Sequence, residues 1–60
     1  MTTREVIFDS IDDVRSFVHQ AEQHRESVEV RCGSCIVDGK SLLGILSLGI
    51  GRKLNLVIHD

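Results

Sequence analysis

The period of the hydrophobic pattern changes repeatedly along this chain, and each change marks an element. Arg4 to Phe8 is a short run rich in β-branched and aromatic residues, which predicts a first strand. Asp9 and Ser10 break it. Ile11, Val14, Phe17, Val18 and Ala21 then recur at helical spacing, with Asp12, Arg15, Gln20 and Glu22 between them. The spacing predicts an amphipathic helix over 10–24. Ser10 is its N-cap, with Asp13 at the capping-box position. Asp12 and Asp13 suit the positive end of the helix dipole, and His24-Arg25 its negative end.

Ser27 to Arg31 alternates strictly and predicts a half-buried strand. Gly33-Ser34 carries glycine in the first central place of a two-residue turn, the type II′ signature. Cys35 to Asp38 returns as a third strand. The turn sets Cys32 opposite Cys35 and Val30 opposite Val37, all on one face, so register and hydrophobic pattern agree. Asp38-Gly39 is a second turn, and Ser41 caps a short helix over Leu42 to Leu48, stopped by Gly49 or Gly51. Leu54 to Ile58 is the last strand. The order β-α-β-β-α-β predicts an α+β open-faced sandwich, an antiparallel four-stranded sheet with two helices on one face. Val28, Val30, Cys32, Val37, Leu54, Leu56 and Ile58 face the helices; Ile36 and Val57 take the other side. Element order permits two arrangements, with strands one and three central or with strands four and two central.

Composition narrows the function. With 60 residues the chain is one small domain, 1–60, with 42% hydrophobic and 27% charged residues. A net charge of −2, no basic face and only Phe8 and Phe17 as aromatics argue against a nucleic-acid partner. The apolar stretch Leu42 to Ile50 is too short to span a bilayer. Met1 to Glu5 lacks an apolar signal region, and two cysteines without an export signal point to the cytoplasm.

Cys32-Gly33-Ser34-Cys35 is a single C-x-x-C. Redox motifs place the first cysteine at a helix start, whereas this pair flanks a turn between strands. A zinc site needs two more ligands, and His19, His24 and His59 offer no paired spacing. The pair therefore reads as two core-facing thiols, with a metal or redox module as the other reading; no metal or cofactor is expected. His59 reads as a solvated terminal histidine. The helix bearing Leu42, Leu43, Ile45, Leu46, Leu48 and Ile50 is apolar nearly all round, so part of it should be an exposed patch.

The run Val37 to Ile50, with Gly39-Lys40-Ser41-Leu42-Leu43-Gly44-Ile45-Leu46-Ser47-Leu48-Gly49 at its centre, resembles the second-helix region of HPr. HPr is the histidine-containing phosphocarrier of the bacterial sugar phosphotransferase system. Phe17-Val18-His19-Gln20-Ala21 is similar to that family's first helix. The resemblance implies the sheet order 1-4-2-3. It implies protein docking on the helices, at Leu42, Leu43 and Leu46, and a phosphorylatable serine at Ser41. The family carries its acceptor histidine in a G-L-H-x-R-P loop. Here that loop is Phe8-Asp9-Ser10-Ile11-Asp12-Asp13, with Ser10 near the histidine position, Asp12 near the arginine and Asp13 near the proline. A phosphohistidine needs an imidazole nucleophile and a cation, and two carboxylates repel the phosphoryl group instead. The family's third helix has no counterpart after Ile58. The expectation is a cytoplasmic binding or regulatory protein, not an enzyme, with phosphotransferase-system proteins or a regulator as partners. The uncovered surface, from Val6, Leu42, Leu46 and Ile58, predicts a homodimer. The alternative is a self-associating accessory domain with no phosphotransferase role.

Overall fold

A computed structural model describes residues 1–60. The elements are β1 (Thr2–Ile7), α1 (Ile11–Glu22), β2 (Ser27–Cys32), β3 (Cys35–Asp38), α2 (Leu42–Leu48) and β4 (Lys53–His59). The four strands form one antiparallel sheet in the order β1-β4-β2-β3, with both helices on one face. Of the two arrangements that element order permits, this is the one with strands four and two central.

The hairpin follows from its turn. Gly33 has φ +61° and Ser34 does not have positive φ, the combination a type II′ turn requires. The resulting register pairs Cys32 with Cys35 and Val30 with Val37. β4 then threads between β1 and β2, pairing Leu54 with Val6 and Leu56 with both Arg4 and Val30. The core lies between sheet and helices, and Val14, Val30, Ile45 and Leu54 are its largest wholly enclosed side chains. Cys32, Val37 and Ile58 pack against its margin.

The boundaries of β1, α1, β2 and β4 differ from the sequence reading, β2 running one residue further, to Cys32. β1 begins at Thr2 and ends at Ile7, so Phe8 is not a strand residue. It turns into the core, 6% exposed, and meets Phe17 edge-to-face at 5.2 Å. α1 ends at Glu22, short of His24, because the Gln23 and His24 amides close the last turn onto Gln20 and Ala21. β4 runs through His59, which pairs with Ser27. Both glycines after α2 serve: Gly49 is its C-cap, and the Gly51 amide donates to the Phe8 carbonyl at 2.7 Å. No helix is long and apolar enough to cross a membrane.

Candidate functional site

The loop between β1 and α1 is closed by its own side chains. Ser10 Oγ accepts from the Asp13 amide at 3.1 Å, and Asp13 Oδ2 accepts from the Asp9 amide at 3.1 Å. The hydroxyl is a cap and the carboxylate ties the loop back on itself. Asp12 reaches Arg15 at 3.9 Å, the loop's nearest cationic partner. No imidazole stands here. His19 lies in the last turn of α1 and His24 beyond it. Ile7 pairs with Lys53 while His59 pairs with Ser27, so His59 lies at the opposite end of the sheet from this loop.

α2 presents the apolar surface. Ser41 is its N-cap, and its Oγ accepts from the Gly44 amide at 3.1 Å. Lys40 Nζ donates to the His24 carbonyl at 2.8 Å, which ties the start of α2 to the end of α1. The three leucines expected to dock partners are not equivalent. Leu43 is 80% exposed, while Leu42 and Leu46 are half-buried against the core. Ile45 and Leu48 face inward and are buried. Ile50, Ile11 and Ile7 are exposed as well. The bond from Gly51 to Phe8 brings the segment after α2 to the β1–α1 connection, so Ile50 and Ile11 border the acidic loop.

The outer sheet face holds a charged cluster that the sequence reading missed. Glu29 stands across from Val57, and Arg31 and His59 lie two residues along on the same face. Arg31 Nη2 donates to Glu29 Oε1 at 2.6 Å, and His59 Nε2 stands 3.1 Å from the same oxygen. His59 is therefore not a free solvated histidine; pairing of β4 with β2 delivers it to a carboxylate. Val57 is only 4% exposed although no helix covers this face. Thr3 of β1 and Glu29 of β2 stand directly on either side of it. Hydrogen bonds from Arg31 first and His59 second hold the Glu29 carboxyl below its ordinary pKa. A lowered carboxylate pKa contributes stability that is complete above the ordinary carboxylate range and is lost as pH falls through the lowered value. A carbon-13 NMR titration should find Glu29 titrating below an ordinary glutamate. Arg31→Ala should raise its midpoint more than His59→Gln does. A Glu29 midpoint that neither substitution moves would contradict the cluster.

The two cysteines are both free, but only Cys32 packs against the core; Cys35 is exposed. The expectation of two core-facing thiols is corrected for Cys35, because β3 is the sheet edge and Cys35 its first residue. No three metal-ligating side chains cluster anywhere.

A cleft of about 290 Å³ opens between α1 and the β1–β4 side of the sheet, lined by Arg4, Phe17, Gln20, Ala21, Leu56 and Ile58 among others. Val6 and Ile58, with Leu42 and Leu46, are packed against the core and half-buried, so the uncovered surface is narrower than the sequence reading implied.

No protein-family model matches the chain, and no curated protein matches it. Among solved structures it is similar to the crystal structure of HPr-C-His from Thermoanaerobacter tengcongensis, with a TM-score of 0.85 and 22% sequence identity. The match covers 100% of this chain and 75% of that one. The likeness shows that this chain has the HPr-like open-faced sandwich fold.

Proposed function

We propose that this protein binds or regulates components of a sugar phosphotransferase system through protein contacts and does not itself transfer a phosphoryl group. The observation that carries this reading is the exposed apolar surface of α2 and the segment after it, Leu43 at 80% and Ile50 at 39% exposed, together with a β1–α1 loop whose hydroxyl caps α1 and whose carboxylate closes the loop on itself. An apolar patch rimmed by polar groups suits a protein partner. The loop offers a phosphoryl group neither an imidazole nor an adjoining free cation. Ser41 is the residue of this surface we assign to phosphorylation, where a phosphate would set negative charge at the margin of the patch. In this reading the protein acts in the cytoplasm and is not an enzyme.

The test uses the phosphotransferase enzyme that loads HPr. With phosphoenolpyruvate present, the protein should acquire no acid-labile phosphate, yet it should bind that enzyme. Leu43→Glu should weaken binding about tenfold or more, the loss of one central apolar anchor. It should leave the melting temperature unchanged, since Leu43 is 80% exposed. Phosphate on His19, His24 or His59 at a rate like that of HPr would sink the proposal, as would binding indifferent to Leu43→Glu.

The cleft beside α1 favours a second reading, that two copies associate through it. It exposes part of Phe17 and Ile58 next to Arg4, a cation without an acidic partner. Sedimentation equilibrium should give a dimer mass at micromolar concentration that Phe17→Ser reduces to a monomer. A monomer persisting towards millimolar protein rules this reading out.

A further inference from the structure

We propose that the β2–β3 hairpin is a two-coordinate binding site for copper(I), held by the thiolates of Cys32 and Cys35. The argument starts from register. The Gly39 amide donates to the Val28 carbonyl at 2.6 Å, which makes Val28 and Gly39 a hydrogen-bonded pair. Such pairs alternate along an antiparallel ladder, so Val30–Val37 and Cys32–Cys35 are hydrogen-bonded pairs too. Across a pair of that kind the Cα atoms stand about 5.5 Å apart. The Cβ atoms lie towards the wide end of about 4.5–5.5 Å. The hairpin therefore holds the two cysteines directly opposite each other on one face, where both free thiols can converge on a single ion.

The chemistry of the donors selects the ion. Both are soft thiolates, which favour copper(I) and zinc among the available metals. Zinc requires four ligands, and no third histidine, cysteine or carboxylate joins the pair. A closed-shell copper(I) ion is satisfied by two sulfurs in line. Cys35 is exposed and gives the ion a way in, while Cys32 packs against the core and shields the other side. On binding, each thiol releases one proton to solvent and each sulfur forms one bond to copper. The metal and both sulfurs keep their oxidation states. The site does not depend on docking at α2.

The experiment titrates the reduced full-length chain with copper(I) buffered by the chromophoric ligand bicinchoninate. One copper per chain should leave the chromophore, and X-ray absorption should show two sulfur neighbours. Cys32→Ser and Cys35→Ser should each abolish the transfer. Cys35 is exposed, so its serine variant should keep the wild-type melting curve and rule out unfolding as the cause. No transfer, transfer undiminished in Cys35→Ser, or one copper per two chains with a doubled mass would each overturn the proposal.

Discussion

Leu54→Ala should remove most of the chain's stability against unfolding. Leu54 is 0% exposed, lies on the central strand β4 and belongs to a core of only nine buried residues. Truncating a buried leucine costs about 2–5 kcal/mol, the loss of transfer energy plus the cavity left behind. A domain this small has only about 3–5 kcal/mol in total. The cavity also cannot collapse easily. Strand pairing fixes Leu54 opposite Val6 in β1, and closing the gap would distort the ladder. Urea denaturation followed by circular dichroism is the measurement. A variant with a cooperative transition at the wild-type midpoint would show that the core has slack this packing does not predict.

Gly39→Ala should be comparably damaging, for a reason unrelated to apolar burial. A Cβ on Gly39 would stand 2.5 Å from Val28 Cγ1 and 2.9 Å from both Val28 Cβ and the Val28 carbonyl oxygen. The γ-methyl can rotate away, but the positions of Cβ and the carbonyl oxygen are fixed by the β2 backbone. β2 is itself hydrogen-bonded to β3 and β4, so it cannot retreat without breaking a ladder. Overpacking of this kind costs about 1–3 kcal/mol and occasionally more. It would also break the 2.6 Å bond from the Gly39 amide to Val28 if the strands separate. A fall in the urea midpoint at constant slope is expected. A midpoint equal to that of the wild type would mean that the approach of residue 39 to β2 is looser than described.

What could be read in advance was local. Gly33-Ser34 determines the hairpin register, because the turn chemistry leaves one way to pair Cys32 with Cys35. Ser41 and the glycines bound α2 where the sequence places it, Leu42 to Leu48. Sheet order was a different matter. Pairing Thr2 with Ile58 joins residues from opposite ends of the sequence, and no local pattern encodes such a choice. The resemblance in the α2 segment supplied it. The cluster of Glu29, Arg31 and His59 was hidden for the same reason. Alternation in β2 places Glu29 and Arg31 on one face, but only the pairing of β4 with β2 brings His59 to them. Cys35 was misjudged because alternation tells which face a residue occupies and not whether a helix extends over it.

The place of β4 also bears on the order in which the molecule can assemble. It is the last of the six elements in sequence, yet it lies inside the sheet, between β1 and β2. Of the three strand pairings only the β2–β3 hairpin joins neighbours in sequence; the other two wait for β4. Closing long loops costs entropy before any contact repays it, and chains dominated by distant pairings fold slowly. During synthesis β1 stays without a strand partner, and β2 keeps one edge bare, until Lys53 to His59 has emerged. The hairpin and the two helices can form early, but the sheet as a whole closes in a single late event.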